Sequence, residues 1–255
     1  MTIRVAMWSG PRNISTAMMR SWSSRIDTRV CDEPLYAHYL SQLPPDTRAA
    51  HPPAAETLQS QPIDWRAVVE SLTGPCDRPV WYQKHMAHHL TPMMDPDATP
   101  DGPSDGWDWI EGLANVLLIR DPAEMITSFI KVIENPTADD LGLPQQARLF
   151  DWIRERTGRT PPVFDARDIL ADPRRGLTAL CEAVGVPFDD AMLAWPAGPH
   201  PADGVWATHW YSSVYDSTTF ARYRPKNEPV PDRLAGVLGE CQHLYDRLAA
   251  HRLIN

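Results

Sequence analysis

What most constrains the fold is a set of five short, nearly unbroken apolar runs: IRVAMW (3–8), TRVCDE (28–33), PVWYQK (79–84), NVLLIR (115–120) and PVFDA (162–166). Continuous apolar character suits strands covered on both faces rather than strands with one wet face. Helical periodicity fills the intervals, at 14–24, 63–73, 122–134, 143–157, 173–185 and 231–250. Strands alternating with helices predict an α/β fold, a mostly parallel five-stranded sheet flanked by helices. Ligands of such sheets bind beyond the carboxyl ends of the strands. The chain has 255 residues, 43% of them hydrophobic, enough for one sizeable core, so a single domain over 1–255 is expected. Two Pro/Asp/Gly-dense stretches, 40–62 and 92–107, are predicted to be long surface loops near the site. The aromatic, aperiodic stretch 195–228 is expected to cap it.

A net charge of −9 argues against a general nucleic-acid or anionic-membrane binder, so any anion site must be a local gathering of Arg, Lys and backbone N–H groups. Cys31, Cys76, Cys181 and Cys241 are far apart with no C-x-x-C, which points to reduced thiols rather than a zinc cluster or a disulfide framework. No run of about 18 apolar residues is present. A cytoplasmic protein is the expectation, and the sequence carries no signal for an oligomeric state.

The first run feeds the loop SGPRNIST and then the helical pattern AMMRSW. A loop that ends a buried strand and opens a helix presents unpaired N–H groups and a favourable dipole to an anion. Ser15 and Thr16 add hydroxyls and Arg12 adds a fixed charge. A nucleoside-triphosphate loop, G-x-x-x-x-G-K-[ST], counted from Gly10 needs a glycine at 15, a lysine at 16 and a hydroxyl residue at 17. The chain has Ser15, Thr16 and Ala17, so the lysine and the magnesium-ligating hydroxyl miss their places.

The stretch Gly10-Pro11-Arg12-Asn13-Ile14-Ser15-Thr16 resembles the P-[KR]-x-x-[ST]-T loop of sulfotransferases that use 3′-phosphoadenosine 5′-phosphosulfate (PAPS), with Ile14 where the family often has glycine. NVLLIRDPAEMITSF is similar to a second motif of that family, R-x-P with a serine eight residues after the arginine. The resemblance implies a P-loop-type sulfotransferase fold, with the 5′-phosphosulfate on the first loop and the 3′-phosphate on Arg120 and Ser128. Arg222, Arg224 and Lys226 stand where the family often closes a basic loop on the 3′-phosphate. VFDARDILADPRRGLTALCEAVGVPFDDAMLAW resembles the family's strand, turn and helix farther along.

The second strand run ends in Asp32-Glu33-Pro34-Leu35, which resembles an EPL stretch whose glutamate is the general base in some carbohydrate sulfotransferases. A carboxylate at a strand end beside an anion loop can take the proton of an acceptor hydroxyl. Side-chain alternation predicts that only one of Asp32 and Glu33 faces the cleft. The third run gives Lys84-His85 where many cytosolic members have KTH, so Lys84 and His85 are further catalytic candidates and the base is either Glu33 or His85. His88 and His89 lack the H-E-x-x-H pattern, and no metal is called for. Trp206, Trp210, Tyr211 and Tyr215 suggest an apolar or sugar-stacking wall.

The sequence thus predicts an enzyme that moves a sulfuryl group from PAPS to a hydroxyl or amine of a small-molecule or carbohydrate acceptor, releasing 3′,5′-adenosine diphosphate. The alternatives are a small-molecule kinase on the same fold and a non-catalytic nucleotide-binding relative.

Overall fold

The computed structural model describes residues 2–94 and 106–254. In chain order the first half comprises β1 (Ile3–Ser9), α1 (Ser15–Ser23), β2 (Thr28–Asp32), α2 (Tyr36–Gln42), α3 (Pro45–Ala49), α4 (Ala54–Ser60), α5 (Trp65–Thr73) and β3 (Val80–Met86). The second half comprises β4 (Ala114–Ile119), α6 (Pro122–Phe129), α7 (Ala138–Leu141), α8 (Leu143–Thr157), β5 (Val163–Asp165), α9 (Ala166–Ala171), α10 (Pro173–Ala183), α11 (Ala207–Trp210), α12 (Ser212–Tyr215) and α13 (Ala235–Ala249).

All strand pairs are parallel, in the order β2-β3-β1-β4-β5. β1 sits at the centre, with Ile3 opposite Val80 on one side and Val5 opposite Ala114 on the other. Alternation along β1 splits its side chains between two cores. Val5 and Met7 pack with Met18, Met19 and Trp22 of α1 and with Leu177 and Leu180 of α10. Ala6 and Trp8 face Trp65, Val68 and Leu72 of α5 and Leu149 and Ile153 of α8. Burial on both faces is what the unbroken apolar runs demanded.

Helix starts follow local chemistry. The Asp121 side chain accepts from the N–H groups of Ala123 and Glu124, with Pro122 at the first helical position, and Asp172 caps α10 in the same way through Arg175 N–H. α8 ends on Gly158 at φ 68°, a left-handed stop that suits glycine.

Two expectations need correction. The stretch 40–62 is not structureless: it folds into α3 and α4, because Pro45 occupies a first helical position and Pro53 the residue before a helix. The helix expected over 122–134 stops at Phe129 and continues as turns, with the N–H groups of Val132 and Ile133 both returning to the Phe129 carbonyl. Most of the expected loop 92–107 lies outside the described residues. Cys31, Cys76, Cys181 and Cys241 are free thiols. Among the described residues no helix is long and apolar enough to cross a membrane.

Candidate active site

A cavity of about 330 Å³ opens at the carboxyl ends of β1, β2, β3 and β4. Its floor is the turn between β1 and α1, with Pro11 through Ala17 along one wall. Gly10 itself carries no lining surface. A Cβ there would meet the Leu141 carbonyl oxygen at 2.2 Å, so glycine lets the α7 terminus close on the turn. Asn13 fixes the loop by donating from Nδ2 to the Leu118 carbonyl (2.9 Å) and accepting from Ile14 N–H (2.8 Å). α1 starts at Ser15 after Ile14, with no side-chain cap and no acidic residue in its first turn. Its N-terminal N–H groups and dipole therefore meet the cavity without a competing anion.

Two arginines complete this end. Arg12 holds the left-handed conformation (φ 55°) and donates from Nε to Ser128 Oγ (2.9 Å) and from a terminal nitrogen to the Trp210 carbonyl (3.3 Å). It has no carboxylate partner among the described residues. Arg120 forks onto Glu124 Oε2 (2.7 and 3.0 Å) and donates to the Arg12 carbonyl (2.8 Å). Burial, and then the charge of Arg120, push the Arg12 pKa down, so an anion between them would relieve both costs. Ser128 lines the same cavity, bonded to Arg12 rather than to Arg120.

The segment after the cap meets this end through groups other than the expected ones. Glu124 Oε1 accepts from the Tyr223 hydroxyl (3.0 Å) and from Lys226 N–H (3.3 Å). Arg224 is exposed and does not line the cavity; Tyr223 and Lys226 are the partly covered residues of this stretch.

The opposite end is acidic. Lys84 Nζ, buried at the end of β3, donates to Asp32 Oδ1 (2.8 Å), Glu33 Oε1 (2.6 Å) and Tyr211 Oη (2.5 Å). All three of its N–H groups are spent within the protein. Alternation fails at Asp32 and Glu33 because β2 ends at Asp32 and Glu33 turns to φ 41°, so both carboxylates swing onto one lysine. Asp32 also accepts from the Tyr211 hydroxyl (2.8 Å) and from Gly204 N–H (3.2 Å). Glu33 lines the cavity, and its Oε2 has no protein partner among the described residues. Burial, followed by opposition from Lys84, leaves the Glu33 carboxyl above its usual range. Burial works against the Lys84 ammonium, but the two carboxylates outweigh it and hold it charged.

His85 lies on the other face of β3. Its ring stacks on Trp8 (4.3 Å between centroids), its Nε2 lies 3.2 Å from Gln83 Oε1, and burial pushes its pKa down to about 3. It does not line the cavity, because strand alternation that brings Lys84 in must turn His85 away. His88 and His89 line the cavity within a ring cluster, His89 stacking on Tyr36 at 4.8 Å. No group of three or more His, Cys, Asp or Glu among the described residues is placed to hold a metal ion. Sequence reasoning missed Asp32 as a working member of the acidic end and missed that Trp206 and Tyr211 point polar atoms into it. Trp206 Nε1 donates to Tyr211 Oη (3.0 Å); of the four aromatics, Trp210 and Tyr211 line the cavity and Trp206 and Tyr215 do not.

The turn between β1 and α1, Arg12, Arg120 and a lysine-held carboxylate pair thus meet in one cavity at the head of a 2-3-1-4-5 parallel sheet. The chain belongs to the sulfotransferase family: the family's sulfotransferase domain model matches residues 3–247. The chain is also 32% identical over 245 residues to the branched-chain-amino-acid aminotransferase-like protein 1 of Arabidopsis thaliana, an alignment that takes in 96% of this chain and 41% of that protein. The chain thus spans less than half the length of that curated relative. Two solved structures share the fold. The sulfotransferase domain from the curacin biosynthetic pathway superimposes with a TM-score of 0.54 at 14% identity, covering 98% of each chain. A sulfotransferase from Alicyclobacillus acidocaldarius gives 0.52 at 13% identity, covering 97% of this chain and 95% of that one.

Proposed function

We propose that the protein transfers a sulfuryl group from PAPS to a hydroxyl group of a small-molecule or carbohydrate acceptor. The observation that carries this reading is the convergence of Arg12, Arg120 and the uncapped start of α1 on one cavity that also contains the free Oε2 of Glu33. The donor's 5′-phosphate would lie on the N–H groups of the loop and α1, with Ser15 and Thr16 as further donors. Arg120 and Ser128 would hold the 3′-phosphate. As the acceptor oxygen bonds to sulfur and the sulfur–oxygen bond to the leaving phosphate breaks, negative charge grows on the phosphate, where Arg12 and the helix dipole stabilise it. The acceptor proton passes to Glu33 Oε2.

Of the two carboxylates, Asp32 has its oxygens taken up by Lys84, Tyr211 and Gly204, whereas Glu33 keeps an oxygen for the proton. Lys84 orients the pair; with all its N–H groups engaged it has none spare for the sulfonate. Most of the rate enhancement would come from positioning and electrostatics, as in phosphoryl transfer. Calorimetry with 3′,5′-adenosine diphosphate against ADP and ATP tests the reading. Tighter binding of the 3′-phosphorylated nucleotide is expected, and an equal or stronger preference for ATP would overturn it.

A further inference from the structure

Tyr211 approaches the acidic end from a segment far along the chain, at the turn between α11 and α12. Its hydroxyl has one proton and two lone pairs. Trp206 Nε1 (3.0 Å) and Lys84 Nζ (2.5 Å) both donate to the oxygen, so its single proton goes to Asp32, 2.8 Å from Oδ2. The 3.3 Å approach to Glu33 Oε1 then carries no donated hydrogen. With Tyr211 in place every donor of Lys84 has an acceptor, and Asp32 has three donors. Glu33 lines the cavity, and among the described residues only its Oε1 takes a hydrogen bond, so Oε2 is the oxygen of the pair left without one.

We propose that Tyr211, which lines the cavity, is a positioning residue that fixes which carboxylate oxygen is free to accept a proton, its hydroxyl acting through Asp32 and Lys84 and not by a bond to substrate. Its saturated hydroxyl has no bond left to offer a bound molecule. The inference rests on the reading of Glu33 as the base. The neighbouring residue strengthens it: the Trp210 carbonyl accepts from Arg12, so one two-residue turn of the cap is tied to the anion loop and to the acid pair. Without the Tyr211 hydroxyl, Asp32 loses a donor and draws Lys84 toward itself. Glu33 then loses part of its cation, and its carboxyl is easier to protonate.

The test follows the carboxyl carbon of Glu33 by nuclear magnetic resonance in ¹³C-glutamate-labelled protein without substrate, the signal being assigned by its loss in Glu33→Gln. In Tyr211→Phe the Glu33 midpoint should rise by about 0.5–1 pH unit, with 3′,5′-adenosine diphosphate affinity changed by less than about twofold. A second replacement, of Tyr211 by 3,5-difluorotyrosine, keeps the ring and hydroxyl, makes a stronger donor and should move the midpoint down. Unchanged midpoints in either folded protein would overturn the proposal. So would a loss of nucleotide affinity beyond about tenfold in Tyr211→Phe, which would place the residue in the donor site. If the wild type binds no 3′,5′-adenosine diphosphate, the donor reading fails while the titration still decides the role of Tyr211.

Discussion

The two ends of the cavity are built differently. The proposed anion end comes from two contiguous stretches, 10–17 and 120–128, each at a strand-to-helix junction, and the groups it offers are backbone N–H and guanidinium. The acid end draws Asp32 and Glu33 from the end of β2, Lys84 from β3 and Gly204, Trp206 and Tyr211 from the segment 204–211, and its chemistry depends on five side chains sharing hydrogens. A site built largely on a helix start keeps its dipole and N–H groups when one side chain is lost. A shared network fails as a unit. Substitutions at the acid end should therefore fall on turnover, while those at the anion end divide, Arg12 on turnover and Arg120 on binding.

The largest effect is expected at the acid end. Glu33→Gln keeps the shape of the side chain and removes its proton acceptance, so turnover with PAPS and a verified acceptor should fall about 10²–10⁴-fold while 3′,5′-adenosine diphosphate still binds. His85→Ala should cost turnover far less, since His85 faces Trp8 and not the cavity. The reverse ranking would make the histidine the base and erase the contrast between the ends.

Arg12→Ala comes next. Its guanidinium sits where leaving-group charge would grow, so kcat should drop by roughly 10²-fold and nucleotide affinity by much less. Lost affinity with unchanged kcat would make Arg12 an ordinary binding residue.

Arg120→Ala sharpens the comparison within the anion end. Loss of a charge-assisted contact of about 1.5–3 kcal/mol should weaken 3′,5′-adenosine diphosphate roughly ten- to hundredfold and leave ADP nearly unchanged. Equal losses for both ligands would mean that Arg120 acts by holding the Arg12 carbonyl, a contact the structure also contains.

The smallest effect is on stability and belongs to neither end. His85 is buried neutral with its pKa pushed down to about 3, below its ordinary 6.5, so the unfolded chain takes up a proton between those values that the folded chain refuses. Its contribution is complete above the unfolded value and is lost as pH falls, by about 2 kcal/mol between pH 7 and pH 5. Urea denaturation of His85→Gln should show a correspondingly shallower loss over that range, and an identical slope would show that burial does not depress the His85 pKa.

The same difference between the ends explains what the sequence made legible. The sheet, its parallel sense and the loop from Gly10 to Thr16 follow from apolar continuity and from residues adjacent in the chain. Lys84, Glu33, Arg120 and Ser128 also line the cavity that the strand ends predict. What the sequence hid depends on a backbone angle or on distance along the chain. Alternation was carried one residue too far at Glu33, whose positive φ runs against the extended backbone that a following proline favours. Tyr211 reads as one aromatic among many until the fold brings it to Lys84, 127 residues away in sequence. Arg224 is the converse case: a cationic cluster sits near the site in sequence, while Tyr223 and the Lys226 backbone make the contact.

The central place of β1 has a consequence for how the chain reaches this structure. During synthesis β1 emerges first, yet neither of its hydrogen-bonded edges can close until β3 and then β4 have been made. At ordinary elongation rates that interval is on the order of 10 s, during which an apolar strand with two open edges waits for partners. Pairings this distant make for slow folding, and the nascent segment carrying the anion loop is the one most exposed to mispairing and most in need of chaperone cover.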